Sequence, residues 1–312
     1  MSGDRSERPG SVRVRAPGKV NLFLGVGPRH DDGYHALSTV FQAVSLFEDV
    51  IAVAAPDFRI AVNGAVDPAD VPLDDRNLAM RAAKLLAAVT GYEGGVHLEV
   101  RKSVPVAGGM GGGSADAAAA LVACNALWGL DLPPSRLIEL AARLGADVPF
   151  ALAGGTAVGT GRGDVLTPAL SRGRYDWVLV TSDEGLSTPA VYAEFDAHAA
   201  RYGALADDPL DPFEVPPSFF QALLSGDPEE LAPCLRNQLE VGSYALRPEL
   251  EDTIELGLAA GALAGIVSGS GPTVALLCRS EQAAAATAQE LRRLGRRAIQ
   301  VHGPVHGARI VD

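Results

Sequence analysis

One stretch of the chain, Val104–Leu127, joins two halves of opposite composition. Its first half carries five glycines between residues 108 and 113, and these let backbone N–H groups come close to a ligand because almost no Cβ atom blocks the approach. From Ser114, an alanine-rich run with strong helix propensity continues to about Trp128–Gly129. A glycine loop that feeds a helix N-terminus directs unpaired N–H groups and the positive end of the helix dipole at one point, which favours a phosphate.

The sequence around this loop narrows the choice of nucleotide site. Val96–Lys102 alternates like a strand, so strand, glycine loop and helix follow one another. The chain has no GxxxxGK[ST] motif, and Gly109-Met110-Gly111 is followed by Ser114 where a GxGxxG motif needs a glycine. Both common nucleotide-binding folds therefore lose support. Considered alone, the loop is also compatible with a flexible turn before a core helix.

Length and charge set the class of protein. The 312 residues allow two domains with a sizeable core. A net charge of −12 argues against broad nucleic-acid binding, and local positive groups must meet any anionic substrate. The three cysteines are far apart and form no CxxC motif, and the N-terminus lacks a secretory signal, which together predict a cytoplasmic protein.

The remaining chain mixes strands and helices without regular βα alternation, which predicts an α+β fold. Two short strands are expected on either side of Pro17–Gly18, a helix over Asn77–Thr90, and a hairpin over Gly154–Pro168. The uncharged run Leu256–Cys278 has the length of a membrane span, but its five glycines and one proline favour a buried helix end, a turn and two strands. No membrane association is therefore expected.

Three stretches in this order resemble the GHMP kinase superfamily: Ala16–Leu24 (APGKVNLFL), Pro105–Ala118 and Gly265–Leu276 (GIVSGSGPTVAL). The resemblance covers nearly the whole chain. It implies an N-terminal ATP-binding domain over residues 1–172, like ribosomal protein S5 domain 2, and a ferredoxin-like C-terminal domain over residues 173–312. Two further motifs, DGYHAL at 32–37 and GADVPF at 145–150, resemble one branch of the superfamily. That branch uses ATP and Mg²⁺ to phosphorylate the 2-hydroxyl of 4-diphosphocytidyl-2-C-methyl-D-erythritol in the non-mevalonate isoprenoid pathway.

The resemblance also implies roles for the residues that carry the chemistry. Lys19 and Asp147 would form the catalytic pair, in which the carboxylate accepts the proton of the attacking hydroxyl and the ammonium stabilises the transferred phosphoryl. Many relatives have two adjacent hydroxyls after the glycines, whereas here Ala115 takes the second position, which leaves Ser114 as the contact for magnesium. The implied ATP-binding set is Asn77, Pro105, Val106, Ala107, Gly108, Gly109, Met110, Gly111, Gly112, Gly113, Ser114 and Ala115.

The acceptor site follows from the same resemblance. Tyr34 would stack on the cytosine ring, and a backbone or imidazole group of His35 would hydrogen-bond its Watson–Crick edge. Tyr192 resembles a second aromatic residue that sandwiches the base, while Asn21 and Thr188 would contact polar groups of the substrate. The turn Gly269-Ser270-Gly271 would face the site.

Three alternatives remain at this point. The nearest is another GHMP-type kinase that acts on a mevalonate-like or homoserine-like alcohol, against which the DGYHAL motif argues. A non-catalytic ATP-binding sensor on the same fold would need neither Lys19 nor Asp147. A dinucleotide-dependent dehydrogenase would need the complete glycine fingerprint and regular βαβ order.

Overall fold

A computed structural model describes residues 10–30, 33–65, 71–202 and 213–312. The strands in these ranges are β1 Ser11–Arg29, β2 His35–Ala55, β3 Arg59–Gly64, β4 Gly95–Lys102, β5 Thr156–Thr160, β6 Val165–Pro168, β7 Tyr175–Thr181, β8 Arg236–Asn237, β9 Ala264–Val267, β10 Val274–Cys278, β11 Arg297–Gly303 and β12 Arg309–Ile310. The helices are α1 Leu78–Thr90, α2 Gly112–Leu127, α3 Pro134–Ala142, α4 Val148–Ala153, α5 Thr188–Tyr202, α6 Pro217–Ser225, α7 Pro228–Leu231, α8 Glu240–Leu246, α9 Glu249–Ala259 and α10 Glu281–Arg293.

The larger sheet is built on the long antiparallel pair β1 and β2, in the order β12-β1-β2-β4-β3, with β5, β6 and β8 attached at its side. The expected break at Pro17–Gly18 is wrong, because β1 runs through it as one strand. The register against β2 shifts between these two residues instead. A bulge accommodates a proline that cannot donate to the ladder, so the strand bends without ending.

Helix α2 packs on this sheet and forms the centre of the first core. Its alanines have side chains small enough to bring the helix backbone close to β1 and β2. The helix begins at Gly112, two residues before the expected start at Ser114. Gly111 takes a left-handed conformation with φ of 71° as its N-cap, so the glycine loop itself supplies the first turn.

The second sheet is antiparallel, in the order β11-β7-β10-β9. One face packs on α9 and α10, and the other meets the first sheet in a shared core where Val20 and Leu22 of β1 join Trp177 and Leu179 of β7. The predicted α+β class is confirmed, since the sheets are mostly antiparallel and the helices do not alternate with parallel strands. Strands β8 and β12 return from the second half to pair with β1, and the division after residue 172 stays a prediction.

Several local expectations are confirmed. Asn77 caps α1 by accepting from the N–H of Ala79 at 2.9 Å, and β5 and β6 form the expected hairpin. The run Leu256–Cys278 forms the end of α9 followed by β9 and β10. Within the described ranges, no helix combines the length and hydrophobicity needed to cross a bilayer. Strand β3 and the short helices α4 and α8 have no counterpart among the sequence-based expectations.

Candidate active site

The glycine loop connects β4 to α2 and is held from two sides. The backbone N–H of Lys19 on β1 donates to the carbonyl of Met110 at 3.0 Å, and the hydroxyl of Ser268 donates to the carbonyl of Gly109 at 3.2 Å. Gly109 has φ of +76°, and a Cβ atom there would lie 1.9 Å from the carbonyl oxygen of Ser268. Only glycine fits this contact, so the loop packs directly against the turn that follows β9.

The loop forms one wall of a cleft of about 610 Å³, here called the phosphate cleft. The first turn of α2 opens into it, and its unpaired N–H groups and helix dipole favour an anion at this end. Met110 and Ala115 are the two members of the predicted ATP-binding set that do not line the cleft, and both are fully buried in the core. The predicted residues that line the cleft are Lys19, Asn21, Asn77, Pro105, Val106, Ala107, Gly108, Gly109, Gly111, Gly112, Gly113, Ser114, Asp147, Thr188 and Tyr192.

Lys19 and Asp147 meet on the floor of the phosphate cleft. Lys19 lies on β1, and Asp147 is the residue immediately before α4. Lys19 Nζ lies 3.9 Å from Asp147 Oδ2 and donates a 2.6 Å hydrogen bond to Asn21 Oδ1. The Asn21 amide in turn donates to Thr39 Oγ1 at 2.9 Å, which fixes its orientation. The structure thus brings Lys19, Asn21 and Asp147 close together, and their roles stay a prediction.

Lys19 and Asp147 differ in how deeply their side chains are buried. Burial lowers the pKa of Lys19, and the charge of Asp147 offsets only part of that effect. The Lys19 side chain is 9% exposed, whereas that of Asp147 is 32% exposed. The carboxylate is thus accessible to a hydroxyl from the cleft. The ammonium is more deeply buried, and Asp147 is its one charged partner within 4 Å among the described residues. This arrangement can accept a proton and stabilise an anionic phosphoryl group.

The turn between β9 and β10 closes the cleft over Lys19. Gly269 has φ of +58°, and a Cβ atom there would lie 3.1 Å from Lys19 Nζ. Ser270 accompanies it in the cleft wall, and its hydroxyl is 2.8 Å from that of Thr188 at the start of α5. The second half of the chain thereby contributes directly to the site.

A second cavity of about 630 Å³, here called the aromatic pocket, adjoins the phosphate cleft. Tyr34, His35 and Tyr192 all line it. The rings of His35 and Tyr192 stack with centroids 5.3 Å apart and an interplanar angle of 27°, while Tyr34 is 56% exposed at the mouth. Asp32, the first residue of the DGYHAL motif, lies outside the described residues.

His35 is fixed by the strands around it. Its Nδ1 lies 2.8 Å from the carbonyl oxygen of Gly27, and because a carbonyl can only accept, Nδ1 carries a proton. Its Nε2 lies 3.1 Å from Asp196 Oδ1. Burial, with a smaller contribution from Asp147, raises the pKa of Tyr192 to about 12, so this phenol stays neutral. The pocket thus offers aromatic faces, including that of the neutral Tyr192, with polar groups at their edges.

The two cavities share four lining residues, Leu37, Arg162, Thr188 and Tyr192. A ligand with an aromatic end can therefore lie in the aromatic pocket while its other end reaches Lys19 and Asp147. Such a continuous path suits an elongated acceptor that carries a base.

Comparison with known proteins agrees with this geometry. The models "GHMP kinases N terminal domain" and "GHMP kinases C terminal" match residues 77–155 and 219–297. The 4-diphosphocytidyl-2-C-methyl-D-erythritol kinase of Paenarthrobacter aurescens (strain TC1) is 53% identical over 97% of this chain and 96% of its own length. That of Nocardia farcinica (strain IFM 10152) is 52% identical over 97% of both. The chain belongs to the 4-diphosphocytidyl-2-C-methyl-D-erythritol kinase family of the GHMP kinases.

Solved structures support the same assignment. A crystal structure of 4-(cytidine 5'-diphospho)-2C-methyl-D-erythritol kinase is 32% identical, with a TM-score of 0.74 over 93% of this chain and 98% of that one. The homoserine kinase of Cytophaga hutchinsonii ATCC 33406 shares the fold, with a TM-score of 0.73 at 19% identity over 99% of this chain and 100% of that one. Membership of this kinase family makes the protein an ATP-using enzyme.

In this member of the kinase family, the phosphate cleft also contains a buried ionic cluster that sequence reasoning missed. Lys102 Nζ donates to Glu48 Oε1 at 2.5 Å and to Asp116 Oδ2 at 2.7 Å. All three side chains are almost fully buried, and Lys102 and Asp116 line the cleft. The backbone N–H of Ser103 donates to the second oxygen of Glu48 at 2.8 Å. Asp116 Oδ1 has no hydrogen-bond partner among the described residues.

Two carboxylates around one ammonium shift the pKa of every member of this ionic cluster. Burial, then the charge of Asp116, raises the pKa of Glu48 to about 7. Burial also raises the pKa of Asp116. Burial acts to lower the pKa of Lys102, but the two carboxylates outweigh it and raise that pKa. The cluster therefore binds a proton on its carboxylates more readily than isolated carboxylates would.

Proposed function

We propose that this protein transfers the γ-phosphoryl group of ATP to the 2-hydroxyl of 4-diphosphocytidyl-2-C-methyl-D-erythritol, which gives the 2-phosphate and ADP. The observation that carries the proposal is the junction of the two cavities. The aromatic pocket can hold a cytosine, and it opens into the phosphate cleft where Lys19 and Asp147 lie 3.9 Å apart.

The proposed step uses Asp147 and Lys19 in different ways. Asp147 accepts the proton of the 2-hydroxyl as its oxygen forms a bond to the γ-phosphorus, and the bond from that phosphorus to the bridging oxygen of ADP breaks. Lys19, oriented by Asn21, stabilises the charge that spreads over the transferred group. Because phosphoryl transfer depends mainly on position and charge, the glycine loop and the N-terminus of α2 contribute by holding the triphosphate in line.

Magnesium fits the oxygen donors on this wall. Among the described residues, no three His, Cys, Asp or Glu side chains form a metal-binding group. Mg²⁺ in kinases is held largely by substrate phosphates and water with one or two protein oxygens, so such a group is not needed. The hydroxyl of Ser114 and the unpartnered Oδ1 of Asp116 both belong to residues that line the cleft. Ser114 would contact the ion, which would neutralise phosphate charge.

The acceptor would be recognised through its base. We assign Tyr34 and Tyr192 to the faces of the cytosine, and Asn21 and Thr188 to polar groups nearer the transferred phosphoryl. The backbone of His35 would contact the edge of the base, because its ring nitrogens face the carbonyl of Gly27 and the carboxylate of Asp196. Tyr34→Ala should raise KM for the cytidylyl acceptor by about 5- to 150-fold, since base–aromatic stacking contributes about 1–3 kcal/mol. KM for ATP should change little. An equal rise in both KM values would contradict this assignment.

The test of the function is ADP release from Mg·ATP with four acceptor conditions: 4-diphosphocytidyl-2-C-methyl-D-erythritol, mevalonate, homoserine and none. Turnover with the cytidylyl acceptor alone is expected. Turnover with another alcohol would keep the phosphate cleft but overturn the role of the aromatic pocket. Tight ATP binding without turnover on any acceptor would instead support a non-catalytic sensor.

A further inference from the structure

Arg162 occupies the junction of the two cavities in a way that none of the assigned roles explains. It lies in the turn of the β5–β6 hairpin, and it is the single basic residue among the four that line both cavities. Its guanidinium carbon lies 3.9 Å from the ring centroid of Tyr34. This distance is within the range of a cation–π contact and places a planar cation at the mouth of the aromatic pocket.

The backbone of this turn is fixed. The N–H of Arg162 donates to Asp164 Oδ1 at 3.1 Å, and the carbonyl of Gly161 accepts from the N–H of Leu37 at 2.8 Å. Gly161 and Gly163 have φ of +70° and +87°, which only glycine adopts without strain. The arginine is therefore held at a defined point beside β2, with its side chain directed over Tyr34.

The charge of the proposed acceptor bears on the position of Arg162. The proposed acceptor carries its base at one end and the reacting hydroxyl at the other, with a diphosphate between them. If the base lies in the aromatic pocket and the hydroxyl at Asp147, the diphosphate crosses the junction. A chain with a net charge of −12 must meet that anion with a local cation. Arg29 and Arg143 also line the aromatic pocket, but neither of them lines the phosphate cleft.

We propose that Arg162 binds the diphosphate of the acceptor and so acts as a determinant of substrate specificity. This inference rests on the proposed function, because it takes the acceptor from it. The planar guanidinium matches phosphate oxygens with two parallel hydrogen bonds, which an ammonium does not. The contact with Tyr34 reduces the freedom that the side chain loses on binding, so the aromatic residue that holds the base also positions the cation for the diphosphate.

The experiment measures the affinity of CDP and of cytidine by calorimetry for the full chain and its variants. The two ligands share the base and ribose, and the diphosphate is their difference. Arg162→Gln should weaken CDP binding by about 10- to 100-fold, as expected for charge-assisted hydrogen bonds. Cytidine binding should weaken by no more than about two- to fivefold, the size of a lost cation–π contact.

Two further variants separate charge from geometry. Arg162→Lys keeps the charge without the planar group that makes two parallel hydrogen bonds, and it should recover part of the CDP affinity. Arg293→Gln makes the same charge change on the exposed surface of α10, where Arg293 pairs with Glu290, and it should leave both affinities unchanged. Thermal unfolding of each variant checks that the fold is intact.

The outcomes separate the two proposals. Equal weakening of CDP and cytidine in Arg162→Gln would show that the arginine supports only Tyr34 and would overturn the diphosphate role. Unchanged CDP binding in that variant would overturn it as well. If the unsubstituted protein binds neither ligand, the proposed function itself fails, and no behaviour of the Arg162 variants can produce that result.

Discussion

Lys19 and Lys102 are two buried ammonium groups in the wall of one cleft, and their surroundings are opposite. Lys102 contacts two carboxylates, at 2.5 and 2.7 Å. Lys19 has one carboxylate at 3.9 Å and an amide oxygen at 2.6 Å. The pKa of Lys102 is accordingly raised above its ordinary value, whereas that of Lys19 is lowered.

The difference shows how one residue type serves structure and chemistry in the same cleft. Burying a charge costs several kcal/mol unless charged or hydrogen-bonding partners offset the lost hydration. A lysine whose charge is fully paired in this way therefore has a structural role. The charge of Lys102 is satisfied by Glu48 and Asp116. That of Lys19 is under-compensated, so an incoming phosphoryl group gains more from it. The third lysine of the chain, Lys84, lies on the surface beside Asp75 and provides a reference for both.

The largest expected effect is on turnover, at the Lys19 site. Asp147→Asn keeps the size of the side chain but removes the acceptor for the hydroxyl proton, so kcat should fall by about 10²- to 10⁴-fold. Both KM values should stay within about threefold, because the groups that bind the substrates are unchanged. Steady-state ADP release measures this, with Asp75→Asn as a surface control. Wild-type turnover in a folded Asp147→Asn protein would remove Asp147 from the mechanism.

At the Lys102 site the expected loss is of stability. Lys102→Met leaves two buried carboxylates without a cation, and we expect the free energy of unfolding to fall by about 3–5 kcal/mol at pH 8. Lys84→Met removes only an exposed pair and should cost less than about 1 kcal/mol. Urea denaturation compares the two variants directly. Similar losses in both would mean that Lys102 is no more compensated than a surface lysine.

The sequence predicts one of these two lysine sites and misses the other. Lys19 and Asp147 each stand in a short motif, and the resemblance carried by those motifs implies that they form a pair. The Lys102 cluster joins residues that are far apart in the sequence: Glu48 lies 54 positions before Lys102, and Asp116 lies 14 positions after it. Only strand register and helix packing bring them into contact. One signal was present: Lys102 continues the inward-facing alternation of Val96, Leu98 and Val100, and a lysine in that position needs buried partners.

The fold shows the same limit of local reasoning. The helix over Asn77–Thr90 was predicted well because its cap and its terminal glycine, Gly91, are local signals. The break at Pro17–Gly18 was wrong because pairing with β2 on both sides of it outweighs the local preference. Helix α4 is too short to show a period, and what fixes it is the packing of Phe150 against Phe41.

A smaller effect should appear in the pH dependence of stability. The pKa of Glu48 rises from 4.5 to about 7 on folding, so between these values the folded state binds more protons than the unfolded state. This group therefore makes the free energy of unfolding fall as pH rises through that window, with no further change above it. Glu48→Gln should remove this contribution from the curve measured by urea denaturation between pH 5 and about pH 8. Glu139→Gln on the surface of α3 should leave the curve unchanged. A Glu48→Gln curve parallel to that of the unsubstituted protein would contradict the raised pKa.

The most direct test of the contrast observes the unsubstituted protein and uses variants for assignment alone, because the chain has only three lysines: Lys19, Lys84 and Lys102. In protein labelled with ¹³C-lysine, each side chain gives one Cε resonance, and Lys19→Met and Lys84→Met assign them. As pH rises, Lys19 should lose its proton below the ordinary value of 10.5 and Lys102 only above it, because one ammonium is desolvated with a distant partner and the other is held by two carboxylates. ATP added without acceptor should raise the pKa of Lys19 by bringing negative charge to it, and leave that of Lys102 nearly unchanged. Titration of Lys102 before Lys19 would reverse the assignment of the structural and the chemical lysine.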